Sequence, residues 1–384
     1  MSKSDFWRHI PGLATYALVV VALTGAILWM IPANYYLVFP GSAQQVSSMI
    51  SVGGHEYRPT HGALFDTYVN ELKASRLLYV VFGLLRPDVT VEPAADVSQG
   101  CPDPQYQEQL LEMMADSKLQ AEAAALNAVG RKVQLQYWGP EIQQLSCGFP
   151  AASELQAGDR ILAVDGVAIT GLGSNGSPVP CPPPPPGTQS VAGCHLFKQI
   201  QQLTVSHPPG SVLHLTILRG GKRKDVAVKT VRANALGTIV HKGGHTMIGI
   251  VMSLPYKFPV AVHIDSGNVG GPSAGLAFTL GIIQQLEHRD LTNGNRVAVT
   301  GTISYEQVPI GHRKYVNEGI VGPIGGARQK ALAAQAAGAK YFIVPTANYA
   351  EALSAHANLR VIPVNTVDEA LRVLESLRAP RPSA

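Results

Sequence analysis

Residues 13–31 read LATYALVVVALTGAILWMI without a single charge. A helix of that length spans the hydrocarbon layer of a bilayer, for which about 20 apolar residues are needed. Lys3, Arg8 and His9 precede the run, and the next positive residue after it is Arg58. Positive charge is retained in the cytoplasm, so the N-terminus is expected inside and everything beyond residue 32 outside. Trp29, Tyr35 and Tyr36 stand where an interfacial aromatic belt lies. The alternative is a cleaved signal peptide, whose apolar stretch is about 7–15 residues with a small-x-small site close behind. Gly41-Ser42-Ala43 resembles such a site but lies well past the apolar run.

The rest of the 384 residues is enough for roughly two to three domains. Hydrophobic residues make up 46% and charged residues 15%, which excludes a largely disordered chain. Net charge is 30 − 26 = +4, and the only short basic cluster is Lys222-Arg223-Lys224. A nucleic-acid partner is therefore not expected.

Val89-Thr90-Val91 and the Gly53-Gly54 turn suggest strands within residues 33–92, while 63–85 fit helix or strand equally. From Pro104 to Val129 the apolar spacing predicts a helix ending at Gly130. Residues 33–132 are expected as an extended region with one helix, after the tail and anchor at 1–32.

Residues 149–169, FPAASELQAGDRILAVDGVAI, predict a short helix, a turn at Ala157-Gly158-Asp159, a strand Arg160–Val164 and a tight Asp165-Gly166 turn. This resembles the core of PDZ domains. A helix at Cys194–Val205 and strands at 212–219 and 224–231 follow in the expected order, giving a PDZ domain over 133–235. An insertion at 171–193 carries the proline run 182–186, which favours polyproline II and cannot join a sheet. Residues 236–384 read as an α/β domain, with strands at 248–253, 258–265 and 296–303 and a helix from Ser273 to about Glu287.

Within that domain SGNVGGPSAG, residues 266–275, delivers Ser273 from a Gly-rich turn to a helix start, where backbone N–H groups lack helical partners and can hold an oxyanion. Taken alone, this segment is equally an ordinary serine N-cap. Residues 321–345, VGPIGGARQKALAAQAAGAKYFIVP, add a lysine on a helix of small apolar residues. A serine hydroxyl is a weak nucleophile until a base takes its proton, and a lysine serves as that base only when desolvated. Neither segment contains a histidine near these two residues, and His263 reads as a strand histidine.

Together the two segments resemble the Lon-type peptidase signature. The resemblance implies that Ser273 is the nucleophile, Lys330 its base, and Thr300, in Thr300-Gly301-Thr302-Ile303, the residue that positions the dyad. With the anchor and the PDZ motif, the chain resembles the membrane-anchored PDZ–Lon-type serine peptidases of Gram-positive and actinobacterial species, grouped with endopeptidase La. The expected fold is an α/β (α+β) Lon-type proteolytic domain plus a PDZ domain behind one transmembrane helix. The resemblance implies an endopeptidase acting on envelope or exported proteins, with protein or peptide substrates selected by the PDZ domain and a homo-oligomer as a further possibility. No G-x-x-x-x-G-K-[ST] occurs in the sequence, so cleavage without ATP and without a cofactor or metal is expected. The stretch 304–319, with His312, Arg313, Lys314 and Tyr315, is longer than is usual for the family.

A PDZ domain takes a peptide tail as an added strand, and 138–149 is the candidate carboxylate loop. A non-catalytic binding scaffold and a protein that processes only itself are the rival readings. An exported chain meets oxidising conditions, so the four cysteines are expected as Cys101–Cys147 and Cys181–Cys194, one of three possible pairings. A zinc site of four thiolates is the alternative.

Overall fold

A strand needs a partner, and most partners here are remote in sequence. The computed structural model describes residues 3–54, 56–98, 101–135, 139–171, 194–233, 239, 242–310 and 314–379. Helix α1 (Lys3–Met30) runs into β1 (Pro32–Gln45), followed by β2 (Ile50–Val52) and β3 (Ala63–Ser75). A helical excursion, α2 (Arg76–Leu78) and a π turn Tyr79–Gly83, leads to β4 (Thr90–Pro93), α3 (Ala94–Ser98) and the long α4 (Asp103–Ala128). The undecided stretch 63–85 is thus strand first and helical turn second. Among the described residues, no helix is long and apolar enough to cross a membrane. The anchor at 13–31 therefore stands on the sequence alone.

Next come β5 (Gln134–Leu135), β6 (Glu141–Leu145), α5 (Ala151–Glu154), β7 (Arg160–Val164), β8 (Val167–Ala168), α6 (Cys194–Val205), β9 (Val212–Arg219) and β10 (Lys222–Lys229). They are followed by β11 (Val231–Ala233), β12 (His245–Met247) and β13 (Ile250–Ser253). A sheet in the order β10-β9-β7-β6-β13 encloses a core of Ile142, Ile161, Val164, Ile200, Leu213, Leu215 and Ile217. Alternation in β9 is the reason: Leu213, Leu215 and Ile217 point inward, while His214 is exposed. The Asp165-Gly166 turn joins β7 to β8, with both residues at positive φ. β13 was expected in the C-terminal domain. It instead pairs with β6, so this smaller unit extends past residue 235 to 253. The insertion 172–193, with Cys181 and the proline run, lies outside the described residues.

The remainder is β14 (Tyr256–Lys257), β15 (Val262–Ile264), α7 (Gly275–Glu287), β16 (Arg296–Val299), β17 (Thr302–Ile310), β18 (Lys314–Gly322), α8 (Ala327–Ala336), β19 (Tyr341–Pro345), α9 (Tyr349–Leu353), β20 (Arg360–Val364) and α10 (Val367–Ser376). Strands from both ends of the chain share one sheet, in the order β20-β19-β16-β3-β1-β4. β3 runs parallel to β16, with Leu64 opposite Val297 and Asp66 opposite Val299. Residues 33–132 are therefore not a separate preamble: β1, β3 and β4 complete the sheet of the C-terminal domain. Leu64, Val297, Val299 and Ile343 pack on α4, α7 and α10, whereas Phe65, Ala298, Phe342 and Val344 pack on α8 and α9. That is the period-2 alternation of a sheet buried on both faces. The 304–319 stretch forms the β17–β18 hairpin, whose tip 311–313 is outside the described residues. Thr366 caps α10 by accepting from the Glu369 N–H, and Glu369 accepts in return from the Asn365 N–H.

Cys101 and Cys147 are joined in a disulfide, tying the start of α4 to the turn after β6. The smaller unit also holds an ion pair whose carboxylate is buried. Asp159 of the Gly-Asp turn is 1% exposed and receives both Nε and Nη2 of Arg219, at 2.7 and 2.6 Å. Replacing Arg219 with Leu removes both of its bonds to that carboxylate, which keeps the Gln156 N–H at 2.9 Å, and an under-satisfied buried polar group costs about 1–3 kcal/mol. Urea unfolding of Arg219→Leu should show a correspondingly lower midpoint, with Arg219→Lys recovering part of it.

Candidate active site

The paired length of β16 and β3 ends at Val299 and Asp66. Beyond that point the two strands part, and the residues that carry chemistry gather at these carboxyl ends, the usual place for a site in an open α/β sheet. Thr300 and Gly301 follow β16 directly. The Gly301 N–H donates to the Ser273 carbonyl at 2.9 Å, and the Leu276 N–H donates to the Gly301 carbonyl at 2.9 Å. These two bonds clamp the Ser273 segment to the strand end.

The glycines of Gly-Pro-Ser-Ala-Gly have distinct reasons. Gly271 has φ +87°, the left-handed region, and its N–H donates to the Leu110 carbonyl at 2.7 Å. Gly275 abuts the β17 backbone so closely that an added Cβ would lie 2.8 Å from the Ile303 nitrogen. Ser117 Oγ on α4 donates to the Pro272 carbonyl at 2.9 Å, bracing the same turn. The helix begins at Gly275, so Ser273 lies two residues ahead of its first turn rather than at its first position.

Lys330 reaches this point from α8. Its Nζ lies 2.6 Å from Ser273 Oγ and 3.1 Å from Thr300 Oγ1. Thr300 Oγ1 in turn donates to the Ser273 carbonyl at 3.2 Å. The structure thus brings together all three residues named from the sequence. Lys330 is 2% exposed, although it is charged at neutral pH in water. Burial pushes its ammonium down to about 8, against the opposing pull of the Asp66, Glu71 and Glu351 carboxylates. His263 sits exposed on β15, paired with Ser51, and takes no part here.

Asp66 is the residue that motif reasoning missed. It is fully buried, its Oδ2 has no hydrogen-bond partner, and burial pushes its carboxyl up to about 6 while Lys330 opposes that shift. No motif marks it. Its only signal in the sequence is position: in Ala-Leu-Phe-Asp-Thr it follows Leu64 by two residues, so strand alternation turns it inward. Ser273 and Lys330 open into a cleft of about 730 Å³ whose walls include Tyr68, Glu71, Leu110, Gly270 and Ile324. Among the described residues no cluster of His, Cys, Asp and Glu is arranged to hold a metal.

The Asp66 carboxylate raises the Lys330 pKa, so neutralising it lowers that pKa further. In Asp66→Asn the rise of any Lys330-dependent reaction should move to lower pH. The neighbouring Thr67→Val, which removes a buried and unpartnered hydroxyl, should leave the profile in place. A pH–rate series on both variants measures this.

Residues 210–376 match the Lon protease (S16) C-terminal proteolytic domain. The match begins inside the smaller unit and omits the N-terminal strands that complete the sheet. A Lon protease of Azospirillum brasilense is 32% identical over 158 residues, 40% of this chain and 17% of its own length. One of Paraburkholderia phytofirmans is 34% identical over 173 residues, 44% of this chain and 19% of its own. Lon protease 2 of Bacillus subtilis is 28% identical over 153 residues, 40% of this chain and 24% of its own. The matched part of this chain thus spans no more than a quarter of these relatives. A solved PDZ domain of an SdrC-like protein from Listeria monocytogenes is similar at TM-score 0.20 and 20% identity, covering 31% of this chain and 92% of its own. Over residues 210–376, then, this chain is similar to a proteolytic domain of the Lon (S16) type.

Proposed function

We propose that the chain is a membrane-anchored serine endopeptidase that cleaves envelope or exported proteins with a Ser273–Lys330 dyad and without ATP. The observation that carries this is a buried amine 2.6 Å from a serine hydroxyl. Neutral Lys330 takes the proton as Ser273 Oγ bonds to the scissile carbonyl carbon. Backbone N–H groups at the Ser273 turn receive the oxyanion, excluding those of Gly271 and Gly275, which already donate to Leu110 and Pro272. Lys330 then returns the proton to the leaving amine as the C–N bond breaks. Water, deprotonated by the same amine, resolves the ester. Thr300 accepts from Lys330 and so fixes where the amine points.

The smaller unit acts as a PDZ domain that delivers substrate. Among the described residues its sheet ends at β13 and β10. β6, inside the 138–149 segment, is flanked by β7 and β13, so an incoming peptide adds at an outer strand and not along β6. The uncharged run 13–31 anchors the chain, with both folded units outside the cell. The scaffold reading leaves unexplained why a lysine is buried against a serine at the cost of its hydration.

Ser273→Ala and Lys330→Ala should each lower turnover of an unfolded protein by more than about a thousandfold, and the double variant should lose little more. Lys330→Arg should fail equally, because a guanidinium does not deprotonate in this range. Wild-type kcat/KM should rise with pH and level off above about 8, where Lys330 is neutral. At pH 7 the rate should be about tenfold below the plateau. Casein digestion with and without ATP decides the rest. Undiminished cleavage by Lys330→Ala sinks the dyad, and a strict ATP requirement sinks the independence.

A further inference from the structure

The excursion between β3 and β4 has two sides. Tyr79 and Phe82 turn inward on the small core of Leu37, Ala74 and Val89, with Tyr79 stacked on Tyr35 at 5.2 Å and Phe82 edge-on to Phe39 at 5.6 Å. Val80, Val81, Leu84 and Leu85 turn outward, and the last two are 63% and 71% exposed. Single exposed leucines are ordinary on a protein surface, but four large apolar side chains within six residues form a patch.

The position of the patch identifies what covers it. The Arg76 N–H donates to the Ile31 carbonyl at 2.8 Å, and Ser75 pairs with Pro32. The excursion therefore leaves the sheet at the base of α1, against which α2 packs. On α1, Tyr16, Leu18, Val21, Leu23, Trp29 and Met30 are exposed. The apolar surface of the excursion continues that of the helix. Arg76 and Arg86 bracket the patch, Arg86 being paired with Asp88 at 2.6 Å. An apolar tip between basic residues, beside aromatic rings, suits the boundary between phospholipid headgroups and acyl chains.

We propose that residues 79–85 are a second membrane contact, dipping into the outer surface of the phospholipid bilayer beside α1. This rests on the reading that α1 is a membrane anchor. Two attachments hold the β4 edge of the main sheet against the bilayer and fix the orientation of the folded part, which a single helix leaves free to swing.

The full chain is reconstituted in vesicles of phosphatidylethanolamine and phosphatidylglycerol. A benzophenone side chain replaces, one at a time, Leu84 in the tip, Leu23 in α1 and Val212 in the smaller unit. All three are exposed, so each substitution is compatible with folding. After irradiation, mass spectrometry should find phospholipid adducts at 84 and 23 and none at 212. Adducts at 23 without any at 84 overturn the second contact, as does crosslinking of 84 to another copy of the chain. Absence of adducts at both 23 and 84 overturns anchor and contact together. An adduct at 84 without one at 23 supports the contact and removes the anchor.

Discussion

An ammonium group stripped of water is costly to hold, and the architecture around Lys330 is organised to hold one. Its helix is docked through alanines, Ala327, Ala331 and Ala334, whose small side chains let α8 sit close to the sheet. The sheet opens at Val299 and Asp66, where the amine can pass between diverging strands to the serine side. Asp66 and Glu71 supply a partial counterweight, which keeps the pKa near 8 rather than letting desolvation carry it further down. The result is an amine that is mostly protonated at neutral pH yet close enough to neutrality to serve as the base proposed above.

Much of this was legible in the sequence, for reasons that are local. Ser273, Thr300 and Lys330 are named by the resemblance of their segments to the Lon-type signature, and the structure supplies the reasons for part of that pattern: a left-handed glycine at 271, a close approach at 275 and a strand end before 300. Arg160–Val164 and Val212–Arg219 declare themselves through alternation and turn residues, and Cys194–Val205 through its place in the PDZ-like order of elements. The non-local pairings were not legible. Nothing in Ala63–Ser75 says that it lies parallel to a strand more than two hundred residues later. Nothing in Ile250–Ser253 says that it returns to β6. Parallel pairing needs no turn and leaves no turn signature. The same holds for Asp66, whose importance comes from a lysine on another element.

The match to the proteolytic family begins at residue 210, yet the site is incomplete without residues 63–71. Asp66 and Glu71 lie on β3, and Tyr68 and Glu71 wall the cleft. The strands before the smaller unit build the cleft as much as the segment after it. The smaller unit is best described as an insertion into the larger α/β fold.

Helix α4 touches both bodies. Its start is tethered to the smaller unit by Cys101–Cys147, and Glu112 Oε2 accepts from the Leu145 N–H at 3.2 Å. Two faces along, Leu110 and Ser117 grip the turn that carries Ser273, and Gln120 Oε1 accepts from the Tyr305 N–H in the hairpin at 3.1 Å. One helix therefore carries both the tether to the smaller unit and the brace on the Ser273 turn, so its length alone sets how far apart the two lie.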